Sequence, residues 1–216
     1  MEGIIFLIFI VTFILAVIFH EVAHGWVANY FGDDTARISG RLSLNPIVHI
    51  DPIGSILVPV LLWISSTGFL FGWAKPVPVN PHRLRGGAQS YRLVTMAGIF
   101  TNLVLAVVAA LVLKLTTQFL SIPTNNLGVT FFTAMLQINL VLAVFNSLPL
   151  PGFDGFNFLT TFSWFSGLVK RTPLADPMFM ARYGLFASIL LIFLFMPFIG
   201  AIFSFVFGWF ILIFGL

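Results

Sequence analysis

The chain has 216 residues, 59% of them hydrophobic and 8% charged, and it contains no cysteine. A soluble domain of this length needs far more polar surface, so the composition describes an integral membrane protein, and a disulfide framework is excluded. The formal net charge of +3 comes from ten basic residues spread over loops, which reads as a topology signal and not as a nucleic-acid-binding face.

The first predicted segment runs from about Ile4 to Phe31, long enough to span with tilt, and Gly32-Asp33-Asp34 ends it. Met1-Glu2-Gly3 carries no basic residue and no small-residue cleavage site follows, so the segment is not expected to be a removable signal. Inside it lies His20-Glu21-Val22-Ala23-His24, and ionisable groups at that depth are a functional hypothesis by default. At about 100° per residue the two histidines lie roughly 40° apart on one helix face, the spacing that holds zinc, with Glu21 about 60° from His24. That places Glu21 beside the metal, where the base for a metal-held water belongs.

A polar stretch, Thr35 to Pro52, follows. Its alternation at Ala36-Arg37-Ile38-Ser39 and Arg41-Leu42-Ser43-Leu44 predicts short extended pieces. The second apolar run, Ile53 to Trp73, is interrupted by Gly54, Pro59 and Gly68 and breaks into Lys75-Pro76-Val77-Pro78-Val79-Asn80-Pro81, which cannot be helical. Segments three and four are predicted at Leu93 to Leu113 and Val129 to Leu148, the latter stopped by Pro149, Pro151 and Gly152. The stretch 157–182 suits an interfacial helix. The last run, Tyr183 to Leu216, exceeds one ordinary span and is expected to break at Pro197 to Gly200. The fold expected is an all-α polytopic membrane protein of about five or six membrane segments around a zinc site. A re-entrant segment and short extended pieces lie between its first and third segments.

Charge bias supports the re-entrant reading. If the second run returns to the side it entered, nine of the ten basic residues face the cytoplasm and only Lys114 lies outside, so the N-terminus is outside. His20 then sits about 24 Å along the helix from Ile4, near the cytoplasmic edge. Segment four delivers Asp154 to that same edge, making it the candidate third ligand that a catalytic zinc site needs. His49 and His82 lie in polar loops and read as turn or surface residues, His49 being the closer to the site. The phenylalanines from Phe186 to Phe214 read as lipid-facing or packing residues.

The HEVAH motif in an apolar helix, paired with the distant Asn146-Ser147-Leu148-Pro149-Leu150-Pro151-Gly152-Phe153-Asp154-Gly155, resembles the site-two protease family of intramembrane zinc metalloproteases. The likeness extends to Gly40-Arg41-Leu42-Ser43-Leu44-Asn45-Pro46, to His49-Ile50-Asp51-Pro52-Ile53-Gly54 and to Phe71-Gly72-Trp73-Ala74-Lys75-Pro76-Val77-Pro78-Val79-Asn80-Pro81. It is similar to the compact branch without a PDZ or other inserted domain, which implies one integral-membrane metalloprotease domain over 1–216. The resemblance implies one zinc ion held by His20, His24 and Asp154, and Glu21 activating its water. Asn146 would hold substrate or the oxyanion. Asn102 would join it, from an Ala97-Gly98-Ile99-Phe100-Thr101-Asn102 element where Ile99 stands in place of the family's usual proline.

The implied substrate is a membrane-spanning protein or peptide, cleaved within or near its transmembrane segment in a prokaryotic plasma membrane. Such a helix must unwind to be cut, and the Pro- and Gly-rich strip from Gly68 to Pro81 could pair with it as an added strand. Two alternatives stand beside the enzyme. A catalytically silent protein could retain the fold and hold membrane helices. A metal transporter would string its ligands along a path instead of gathering them at one level.

Overall fold

The computed structural model describes residues 2–64 and 72–215. Among them no strand occurs, and four helices are long and apolar enough to cross a membrane. The chain opens with helix α1, Glu2–Tyr30, whose 29 residues extend about 43 Å. A short helical turn, α2 (Thr35–Ile38), follows where extended backbone was expected. The reason is local: Asp33 sits just ahead, its carboxylate accepting from the Thr35 N–H at 3.1 Å and from the Thr35 hydroxyl, and it starts a turn that alternation alone does not reveal.

The second apolar run is helical up to Ile64. A π-helical turn, Pro52–Leu57, is capped by the Asp51 carboxylate on the Ile53 and Gly54 N–H groups, and α3 (Val58–Ile64) continues it. The ends of the run meet. The Trp73 N–H donates to the Gly54 carbonyl at 3.1 Å, and the Ser55 hydroxyl donates to the Trp73 carbonyl at 2.8 Å. The two ends of the run are therefore neighbours, as a re-entrant segment requires. Phe69 to Phe71, part of the proposed pairing strip, lie outside the described residues.

The next three long helices build the core. They are α4 (Ala88–Lys114, extended by a π-helical turn to Phe119), α5 (Leu127–Asn146) and, after the short helices α6 (Asp154–Thr160) and α7 (Ser163–Val169), α8 (Pro177–Phe214). Ala106, Ala109 and Ala110 of α4 are fully or almost fully buried against Leu136 and Leu140 of α5. Small residues at that seam let the backbones approach, which is how helices associate in lipid, where the hydrophobic effect gives no drive. α8 packs Ile192 and Ile199 against Leu150, lays Phe203 and Phe207 along the α4–α5 core, and leaves Phe193, Leu194, Phe198 and Phe205 exposed. The expected break at Pro197 does not occur: α8 is one continuous helix with the proline inside it. Proline frees one backbone carbonyl, whereas a broken helix at membrane depth would strand several, so continuity costs less.

Candidate metal centre

α1 and α4 cross at the motif histidines, and Gly98 makes the crossing feasible. A Cβ on Gly98 would lie 2.4 Å from His24 Nε2 and 2.5 Å from His20 Cε1. Any side chain there would enter both imidazoles. Asp154 arrives from the other direction as the first residue of α6. Gly155 lets that turn close on the end of α5, since a Cβ on it would lie 2.3 Å from the Ser147 carbonyl oxygen. The Asp-Gly pair is thus a ligand candidate followed by the residue that permits its placement.

These elements bring His20, His24 and Asp154 together. His20 Nε2, His24 Nε2 and Asp154 Oδ2 stand 3.1 Å apart on all three sides of a triangle. Donors about 2.0–2.1 Å from a tetrahedral zinc stand about 3.3 Å from one another, so the triangle is close to the size of a zinc face. The two histidines are buried, and Asp154 Oδ2 is buried without a hydrogen-bond partner.

The hydrogen-bond network sets the polarity of both imidazoles. His24 Nδ1 faces the Val94 carbonyl at 2.7 Å, an acceptor only, so Nδ1 carries the proton. For His20 the logic runs through two amides. Asn139 Nδ2 donates to the Met135 carbonyl at 2.8 Å, which turns its Oδ1 toward Asn102. Asn102 Nδ2 donates to that Oδ1 at 2.8 Å and to the Ala16 carbonyl at 3.4 Å, which turns the Asn102 oxygen toward His20 Nδ1 at 2.6 Å. Nδ1 of each neutral ring is therefore the donor, and each Nε2 presents a lone pair. Two lone pairs and a carboxylate oxygen converge on one point. Three such donors at this distance repel one another unless a cation lies among them, and the N₂O donor set suits zinc.

Glu21 stands outside the triangle. Its Oε2 accepts the Val77 N–H at 2.8 Å. Val77 belongs to the irregular strip Trp73–Asn80, which is tied down at several points. The Lys75 N–H donates to the His49 carbonyl at 2.9 Å, Arg41 Nη2 donates to the Lys75 and Pro76 carbonyls at 2.5 and 3.3 Å, and the Asn80 N–H donates to Asp33 Oδ2 at 2.5 Å. Burial raises the Asp33 carboxyl, but the Thr35 hydroxyl, the Asn80 and Thr35 N–H groups and the Arg83 charge outweigh it and hold the group below its ordinary value.

Of the remaining candidates, Asn102 touches His20 while Asn146 does not join the cluster. Its Nδ2 donates to the Leu142 carbonyl, one turn back in its own helix, at 2.9 Å. His49 is buried with Nε2 on the Ser43 carbonyl at 2.8 Å, and His82 is an exposed turn residue. Sequence reasoning missed Asn139, Arg41 and Asp33. Asn139 had a signal, a polar amide in the middle of an apolar segment; the loop pair had none, because acidic and basic loop residues are ordinary.

Four helices long and apolar enough to cross a membrane, with a largely buried His-His-Asp group that could hold a metal ion, define a multi-pass membrane protein with a candidate metal centre of metalloprotease type. The chain is 42% identical to "Putative zinc metalloprotease YwhC" of Bacillus subtilis over 154 residues, covering 69% of this chain and 66% of that protein. It is 33% identical to "Putative zinc metalloprotease Rip2" of Mycolicibacterium smegmatis (72% of this chain, 57% of that protein) and 31% identical to Rip2 of Mycobacterium tuberculosis (70% and 56%). The aligned part thus spans between about half and two-thirds of each relative. No family model and no solved structure matches the chain. The chain belongs to the site-two protease family of zinc metalloproteases.

Proposed function

We propose that this chain, over 1–216, is one membrane domain that hydrolyses peptide bonds within or near transmembrane segments of other membrane proteins. The observation that carries the reading is the convergence of three proton-free donors, His20 Nε2, His24 Nε2 and Asp154 Oδ2, at mutual distances of 3.1 Å. Bound there, zinc would lower the pKa of a coordinated water to about 7 and polarise the scissile carbonyl. Asn102 and the Val94 carbonyl orient the imidazoles that hold it. Glu21 takes the proton from the attacking water and returns it to the leaving amine. The N–H of Val77 holds Glu21 Oε2 in position during that exchange.

With the N-terminus outside, α1 and α5 both run toward the cytoplasm, and their shared edge carries the centre. The strip from Gly68 to Pro81, which meets Glu21 at Val77, would pair with an unwound substrate as an added strand. Proline substitutions at Phe69 to Phe71 should then lower cleavage and leave zinc bound.

The deciding experiment measures zinc content and cleavage of single-span model substrates on one liposome-reconstituted sample. Wild type is expected to hold about one zinc and cut. Glu21→Gln should keep zinc without cutting, and Asp154→Ala should lose zinc. A wild type that holds no zinc and cuts nothing would overturn the reading in favour of a silent helix-binding protein.

A further inference from the structure

The end of α1 carries a second feature, separate from the metal centre. Asn29, Gly32, Asp34, Arg37, Arg83 and Arg85 line an open cleft of about 590 Å³. Three guanidinium groups face it against one carboxylate. Asp34 pairs with Arg83 at 2.7 Å and with Arg37 at 3.7 Å, both at exposed positions. Asp33 offsets the cluster only in part: its carboxylate feels the Arg83 charge but is turned inward onto Thr35 and the Asn80 N–H and does not line the cleft. Three guanidinium groups against one carboxylate in the lining leave the cleft an excess of positive charge.

Arg85 sets its shape. Its N–H is fixed to the Phe31 carbonyl at 2.8 Å, and its side chain runs over Gly32, where a Cβ would lie 3.0 Å from Arg85 Nε. Its guanidinium has no ion-pair partner among the described residues. Planar guanidinium forks match phosphate bidentately, and a cluster of them at the last turn of a crossing helix lies where headgroups lie. Trp26 and Tyr30, one turn apart on α1, are 68% and 78% exposed next to this end, as interfacial aromatic anchors are.

We propose that this cleft binds a phosphate group, supplied by the headgroup of an anionic phospholipid, with Arg37, Arg83 and Arg85 as donors and Asp34 limiting its affinity. The site fixes the end of α1 six residues past His24 to the membrane surface. It does not depend on the catalytic reading.

The test uses the full chain released from nanodiscs of phosphatidylglycerol and phosphatidylcholine in equal proportion, with retained lipids counted by native mass spectrometry. Wild type is expected to retain phosphatidylglycerol preferentially. Arg85→Gln and Arg37→Gln should each weaken retention about fivefold, and Asp34→Asn should strengthen it, a gain that misfolding cannot produce. Arg171→Gln, in an exposed turn elsewhere, should change nothing. A parallel arm adds inorganic phosphate to the chain in phosphatidylcholine nanodiscs. Stabilisation there that vanishes in Arg85→Gln, without phosphatidylglycerol preference, would keep the phosphate site and overturn its lipid source. Equal retention of both lipids with no response to phosphate, or equal loss in Arg171→Gln and Arg85→Gln, would overturn the proposal.

Discussion

Replacing Asn102 by leucine separates two roles that a buried asparagine beside a metal centre can play. The substitution nearly preserves volume and removes three contacts: to His20 Nδ1 at 2.6 Å, to Asn139 Oδ1 at 2.8 Å and to the Ala16 carbonyl at 3.4 Å. It leaves the His20 Nδ1–H and Asn139 Oδ1 buried without partners, each costing about 1–3 kcal/mol. In a bilayer the interhelical part is smaller, about 0.6 kcal/mol on average, so total destabilisation should fall near the low end, about 2 kcal/mol. Loss of such an outer partner typically weakens metal affinity about 10- to 100-fold, or about 1.4–2.7 kcal/mol. Zinc affinity is measured by competition with a chelator of known strength, and cleavage at saturating zinc is measured on the same preparation. The expected result is weaker zinc binding with cleavage largely restored when zinc is in excess. Unchanged zinc affinity with a collapsed kcat would refute the orienting role and return Asn102 to the oxyanion.

Three further outcomes are expected. Gly98→Ala places a methyl within about 2.5 Å of both imidazoles, so it should abolish zinc binding and lower thermal stability by about 1–3 kcal/mol, read by metal analysis and melting. Arg41→Gln frees the Lys75 and Pro76 carbonyls and loosens the Val77 contact on Glu21; kcat should fall about 10- to 100-fold with zinc content unchanged. Asp33 has a lowered folded pKa, so its stabilisation is present above its unfolded value of about 3.9 and is lost as pH falls through the folded one. Melting curves across an acid series should show a flatter pH dependence for Asp33→Asn than for wild type.

The gathering of His20, His24 and Asp154 was legible because two signals of different kind agreed. The i, i+4 histidines fix a face, and charge bias fixes the side to which Asp154 returns. The return of the second run was expected on the same charge argument, and the Trp73 contacts with Gly54 and Ser55 put its two ends side by side. The turn at Thr35 was not, since it depends on one buried carboxylate, and neither was the continuity of α8 through Pro197, since proline's preference is local and the demand for closed backbone hydrogen bonds is set by the lipid. Asn139 could not be assigned from sequence. Its partner is 37 residues away on another helix, and nothing in either segment specifies which polar residues face each other.

The tautomers fixed at the centre also constrain proton traffic. Each imidazole spends Nδ1 on an acceptor and turns Nε2 to the shared point, so neither ring has a nitrogen left to relay a proton. On the proposed reading Glu21 carries it, with Oε2 also accepting the Val77 N–H. Water activation and amine release would then be successive uses of one carboxylate, the second waiting on the first.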